Sequence, residues 1–279
     1  MNYAFSYPSV QIKYEGEVNS IFRNIDFVGA VDYNSPNFQG YYYGIGNESE
    51  NIKSDDNKYN SLRFEKLLIN RFVTDFSNPV NDLDSEKDFS TRKYLGLNIN
   101  YIWDSRNSKM LPSRGIYWQS VFQAYRGLGR NDDNFNRFSS DMRMYISFSP
   151  PARVVLALRA GGAYNSDGYS LSQVNKLGLK SNLRGFPLDR FAGDGIFYQN
   201  TDIRFRVSQF RSFLLAGEFG ILAFNDVGRV WILGERSETL HHGYGGGLWV
   251  SPFKLMVLTT NYSYSKEDKI FSLEFKYMF

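Results

Sequence analysis

Residues 271–279 read FSLEFKYMF: Phe271, Leu273, Phe275, Tyr277 and Phe279 alternate with Ser272, Glu274, Lys276 and Met278. Successive side chains of a strand point to opposite faces, so this stretch has one apolar face and one mostly polar face. A soluble sheet could pack such a face on a core. Two features point to lipid instead: the run ends on an aromatic residue, and the same alternation recurs along most of the 279 residues. Strands of an outer-membrane barrel carry a lipid-facing apolar row, a polar row toward the lumen and aromatic residues at the interfaces. The expected fold is all-β, a closed antiparallel transmembrane β-barrel in the bacterial cell outer membrane.

Working back from this strand, Met256, Leu258, Thr260, Tyr262 and Tyr264 form one face, and Tyr244, Gly246, Leu248 and Val250 another. Phe219, Ile221 and Ala223 alternate with a lumen-type row that contains Glu218 and Asp226. Phe197, Ile203, Phe205 and Val207 alternate with Asn200, Asp202, Arg204 and Arg206. Arginines spaced two apart share a face, and in lipid that face must be the lumen. The pattern continues through Val154, Leu156 and Leu158 and through Phe138, Met142, Met144 and Ile146. Further strands are expected over 114–126, 90–104, 58–73, 38–47 and 20–34. Short turns such as 149–152 alternate with longer loops such as 165–195 and 75–89, the rhythm of periplasmic turns and extracellular loops. The expectation is about twelve strands, with fourteen as the rival count. Val10, Ile12 and Tyr14 also alternate, but a strand there would start on the wrong side of the membrane. Residues 1–18 are therefore read as a periplasmic or lumenal lead-in, and 19–279 as one barrel domain.

Composition narrows the function. Aromatic residues make up 17% of the chain, and no run approaches the ~18 apolar residues of a spanning helix, so any membrane signal must lie in alternation. Cysteine is absent, which rules out disulfides and thiolate metal sites. A net charge of +3 with scattered Lys and Arg gives no reason to expect a nucleic-acid partner. No secretory leader stands at the start of this sequence. His241 and His242, the two histidines, are neighbours and point oppositely in a strand, so they cannot share one metal without a bulge. No Ser-His-Asp set, G-x-S-x-G or phosphate loop is present, and 243–247 (GYGGG) lacks the G-K-[ST] ending. No enzyme activity, catalytic residue, metal or cofactor is expected.

Residues 177–191, LGLKSNLRGFPLDRF, occupy the longest loop, and five strands follow it to Phe279. With Leu183-Arg184-Gly185-Phe186 in that place, the chain resembles the superfamily containing BamA, TamA, the mitochondrial sorting component and the two-partner secretion transporters. A second element of that family, Phe-x-Asp-x-Gly, is matched by Phe224, Asp226 and Gly228, and a third, D-x-R…P-x-x-G, by Asp104, Arg106, Pro112 and Gly115. The resemblance thus covers 104–279 with three elements in order. It implies that the loop folds back into the lumen and that Arg184 pairs with Asp226. By alternation Glu218, Asp202 and Phe224 face the same lumen and are expected beside it. Gly185 would allow a tight or positive-φ backbone under Phe186. Asp104, Arg106 and Asn107 read as a polar turn punctuated by Pro112 and Gly115.

Two departures qualify the resemblance. Members usually have sixteen strands, and the count expected here falls about four short on the N-terminal side. Most carry polypeptide-transport (POTRA) domains, for which these residues leave no room. The run at 41–47, YYYGIGN, also looks like barrels fused to a phosphoesterase or patatin domain. Three function classes stay open: a biogenesis factor inserting proteins or perturbing lipid through a seam between first and last strands, a membrane anchor for a fused or partner enzyme domain, and a passive channel or structural barrel. Expected partners are outer-membrane lipids, with nascent outer-membrane proteins and periplasmic or lipoprotein partners under the first reading, and the expected state is a monomer.

Overall fold

A computed structural model of the chain describes residues 2–4, 9–22, 25–34, 40–41, 46–49, 58–66, 69–76, 92–129, 132–148, 152–166, 168–169, 173–179, 182–211, 216–234 and 236–277. Side chains are described for 46–49 and, within those ranges, for 94–276. The strands are β1 (Asn2–Ala4), β2 (Ser9–Phe22), β3 (Ile25–Asn34), β4 (Gly40–Tyr41), β5 (Lys58–Lys66), β6 (Ile69–Phe76), β7 (Arg92–Asp104), β8 (Gly115–Gly127), β9 (Phe135–Ser147), β10 (Val154–Asn165), β11 (Asn175–Leu177), β12 (Phe191–Gly193), β13 (Gly195–Arg211), β14 (Ala216–Trp231), β15 (His241–Pro252), β16 (Met256–Tyr264) and β17 (Lys269–Tyr277).

All but β11 and β12 join one 15-stranded antiparallel sheet in the order β3-β2-β1-β17-β16-β15-β14-β13-β10-β9-β8-β7-β6-β5-β4. Among the described residues its members β1 and β4 are three and two residues long, too short to span a membrane by themselves. Where the ends of the order approach each other, β3 meets β5 only at Val31↔Phe64 and Asp32↔Arg63. Among the described residues the wall is therefore not closed over its height, whereas closure was expected.

Facing follows the alternation. On β14, Glu218, Leu222, Phe224, Asp226 and Val230 are buried inward while Phe219 and Ile221 are exposed. Leu97, Ile99, Tyr101 and Trp103 on β7, Ile203 and Phe205 on β13, Leu248 on β15 and Phe271 and Phe275 on β17 continue the outward row. A water-soluble monomer does not tolerate so large a contiguous apolar surface, but a lipid-facing wall requires it. No helix among the described residues is long and apolar enough to cross a membrane.

Three stretches differ from the sequence reading. The single strand expected at 58–73 is a hairpin, with Lys66↔Ile69 paired across residues 67–68. The strand expected at 20–34 likewise straddles a hairpin, with Phe22↔Ile25 paired across residues 23–24. The intervening residues are Leu-Leu and Arg-Asn, so the Gly or Pro that normally marks a strand end is missing. The stretch set apart as a lead-in contains β1 and most of β2, and β2 pairs with β3 from Gln11↔Asn34 onward. Of the strand expected at 38–47, β4 is present, residues 46–47 are not strand, and residues 38–39 and 42–45 lie outside the described set.

Candidate functional site

The long loop between β10 and β13 carries its own small core. Its hairpin β11–β12 places Leu177 and Phe191 with Leu183 and Phe186, and all four pack on Ala163, Ile196, Tyr198 and Val230 of the wall. Each large apolar side chain so buried stabilises the docked loop by about 1.5–3 kcal/mol. Docking brings Arg184 to Asp226. The Arg184 amide and Nε donate to Asp226 Oδ2 at 2.9 and 2.7 Å, and Nη2 donates to Oδ1 at 2.6 Å. The same Nη2 reaches Asp202 Oδ1 at 2.5 Å, and the guanidinium lies 3.7 Å from the centroid of the Phe224 ring. Burial works against this charge, but the hydrogen bond to Asp226 and the fields of Asp202 and Asp226 outweigh it. They push the Arg184 pKa above its ordinary value, so the group is a permanent cation.

Three glycines leave room for the loop. Gly185 has φ +92°, and a Cβ on it would lie 2.7 Å from the Tyr264 carbonyl oxygen. A Cβ on Gly243 would collide with the Arg184 carbonyl oxygen, and one on Gly228 would press on Leu177 at 2.7 Å. The Asn182 carbonyl accepts from Asn200 Nδ2 at 3.0 Å, which fixes the chain just before the motif.

Glu218 stands apart from this cluster, contrary to expectation. It pairs with Arg206 at 3.2 Å. Alternation gives the side of a strand but not the height. Glu218 is eight residues below Asp226 on β14, a separation of roughly 26 Å at the usual strand rise. On the last strand, Phe271 and Phe275 are exposed outward and Glu274 pairs with Lys276 inside. Tyr277 ends β17, its side chain and the whole of Phe279 being outside the described residues.

Sequence reading missed what the turn at 105–114 does. Its polar frame is present: Arg106 grips Asp104 with Nε and Nη2 at 2.8 and 2.7 Å, and Gly115 adopts φ +103° against the Ser105 carbonyl. Yet Leu111 packs on Leu222, Phe224 and Trp249, and the Pro112 carbonyl accepts from Arg204. The turn enters the lumen and packs on the cluster that includes Phe224, whose ring also receives Arg184. A second inner network joins Asp141 to Arg143 and Arg159, each at about 2.6 Å or less, and to the Tyr198 hydroxyl at 2.6 Å. Only the inward facing of those residues was legible in sequence. His241 turns inward to Asn47 while His242 is exposed. Among the described residues no cluster of three or more metal-binding side chains occurs.

An all-β wall with a lipid-compatible exterior, holding a long loop in its lumen through an Arg-Gly-Phe element, defines a class of outer-membrane barrel. A model of the Omp85 superfamily domain matches residues 9–276, and the chain belongs to that superfamily. Among solved structures it is similar to BamA from Haemophilus ducreyi lacking POTRA domains 1–3, with a TM-score of 0.62 and 12% identity. That match covers 95% of this chain and 61% of the BamA chain, so the sequence spans about three-fifths of that structure. No curated protein sequence matches it significantly. The protein is thus a BamA-like barrel of the bacterial outer membrane.

Proposed function

We propose that this barrel acts in outer-membrane biogenesis, admitting client strands or lipid through the junction between β17 and β1. The observation that carries the reading is the asymmetry of β17. One edge is paired with β16 at nine positions, from Met256↔Tyr277 to Tyr264↔Lys269, while among the described residues the other edge is paired with β1 at Tyr3↔Leu273 alone. The first strand expected from sequence, over 20–34, is not the neighbour of β17 in the sheet; that neighbour is β1, followed by β2. Backbone groups left unpaired in lipid are costly, and a strand edge of that kind templates an incoming strand. The docked loop keeps β13 to β15, which begin two strands from β17, in one arrangement while the junction opens. Partners under this reading are nascent outer-membrane proteins, lipids and periplasmic lipoproteins.

The test is the folding rate of an unfolded outer-membrane barrel protein added to lipid vesicles with and without this protein. Faster folding in its presence is the expected result. An unchanged rate combined with a porin-sized single-channel conductance would replace the proposal with the passive-channel reading.

A further inference from the structure

Residues 46–49 belong to the connection between β4 and β5, yet their contacts lie on strands near the other end of the chain. The Gly46 amide donates to the Ala192 carbonyl of β12 at 2.8 Å. Asn47, only 1% exposed, donates from Nδ2 to the Thr239 carbonyl at 2.7 Å and to Ser237 Oγ at 2.9 Å. Its Oδ1 accepts from the Val230 amide of β14 at 3.2 Å and lies 2.9 Å from His241 Nε2 of β15. A carbonyl can only accept and an amide N–H can only donate, so these partners fix the Asn47 orientation and require a proton on His241 Nε2. The Glu48 carboxylate accepts from Ser237 Oγ and from Thr239 Oγ1, at 2.5 and 2.6 Å. Ser49 accepts two bonds from Arg190, at 2.9 Å on Oγ and 2.6 Å on the carbonyl. Arg190 is 2% exposed and grips Glu267, in the β16–β17 connection, at 2.6 and 2.9 Å.

Extracellular loops commonly rest on one another, and a casual contact would leave polar groups to water. Here a side chain from the N-terminal part of the chain is buried with both amide protons and both acceptor sites of its oxygen used, by partners from three segments. The His241 ring that receives it stacks on Phe191 at 3.8 Å and meets Phe186 edge-on at 5.8 Å, which connects it to the docked loop motif. Residues 46–49 lie between β4 and β5, and β5 pairs with both β4 and β3, which places them by β3 on one side of the β1–β17 junction, with β14 to β17 on the other. We propose that residues 46–49 are an extracellular clasp tying these two sides together, so that the mouth and the junction widen only when Asn47 leaves its socket. The inference rests on the junction reading for its consequence, but its test uses no client protein.

The full chain in planar lipid bilayers supplies that test, with open probability as the readout. Asn47→Asp keeps the shape but turns the Nδ2 donor into an oxygen facing the Thr239 carbonyl. Glu267→Gln loosens the hold on Arg190. Each variant should remain heat-modifiable on a gel and show an open probability raised by about 5- to 150-fold, the range of one lost coupling of this size. Because the chain has no cysteine, Glu48→Cys with Thr239→Cys can be oxidised in the Asn47→Asp background, which should return openings to the wild-type level until reductant is added. Folded variants with wild-type open probability would overturn the clasp, as would an oxidised cysteine pair that leaves the openings of the Asn47→Asp protein unchanged. If Asn47→Asp does not fold, Glu267→Gln decides by the same readout. Failure here with client folding still accelerated would remove the clasp and leave the junction reading standing.

Discussion

Arg184 is held by partners of different kinds, and that mixture dictates how substitutions behave. Asp226, fully buried, receives three donors from it, Asp202 receives one, and Phe224 offers its ring face. A guanidinium serves two carboxylates and a ring at once because its donors lie in one plane, which an ammonium group cannot imitate. Asp226→Ala leaves a buried cation with less compensation, and breaking a buried pair in this way costs about 3–5 kcal/mol. The expected outcome is a large loss of heat-modifiable, folded protein in vesicles. Exchanging the charges (Arg184→Asp with Asp226→Arg) should restore only part, because the Asp202 and Phe224 contacts stay broken. The coupling in that double-mutant cycle should be about 0.5–3 kcal/mol, and additive single effects would exclude the pair. Gly243→Ala drives a methyl into the Arg184 backbone, whereas Gly228→Ala meets the flexible end of Leu177. A protease-protection assay of the loop should therefore show release in the first variant and little change in the second.

Among the elements, β17 carries the clearest membrane prediction. Leu273 is the central residue of Lys269–Tyr277, and Phe275 is nearer the periplasmic end. A cation on a barrel's lipid face costs ~2–4 kcal/mol at the bilayer midplane and ~0–1 near the interfaces. Leu273→Arg should lower folding yield in vesicles more than Phe275→Arg, and Lys276→Phe on the inner face should do least. Equal tolerance at all three would mean the facing is wrong. Such facing was legible in sequence for β13 to β17 because period-2 alternation reports it directly. The hairpins at 23–24 and 67–68 were not, since neither has a Gly or Pro, Leu-Leu carries no turn residue, and Arg-Asn offers a lone Asn within an alternating run. Height was also hidden, which is why Glu218 looked like a neighbour of Arg184. The Arg-Gly-Phe element was readable as a motif, but the entry of Leu111 into the lumen and the seating of Asn47 were not. Both depend on partners roughly a hundred or more residues away, for which local periodicity holds no signal.

At the scale of the molecule, two segments enter the lumen and meet on one cluster. The loop between β10 and β13 brings Arg184 onto Phe224, and the turn before β8 brings Leu111 onto the cluster of Leu222, Phe224 and Trp249. Space filled in this way leaves little path for diffusion, so small and infrequent openings are expected in bilayers. What the wall offers instead, among the described residues, is a junction paired at Tyr3↔Leu273 beside a fully paired β16–β17 edge. Directly opposed residues of antiparallel strands have Cα atoms about 4.5–5.5 Å apart, within reach of a disulfide, and the chain has no cysteine to interfere. The decisive measurement is client folding in vesicles by Tyr3→Cys with Leu273→Cys, compared before and after reduction. The account predicts a folded, heat-modifiable but inactive oxidised protein whose acceleration of client folding returns with reductant. Full activity in the oxidised, cross-linked state would contradict it.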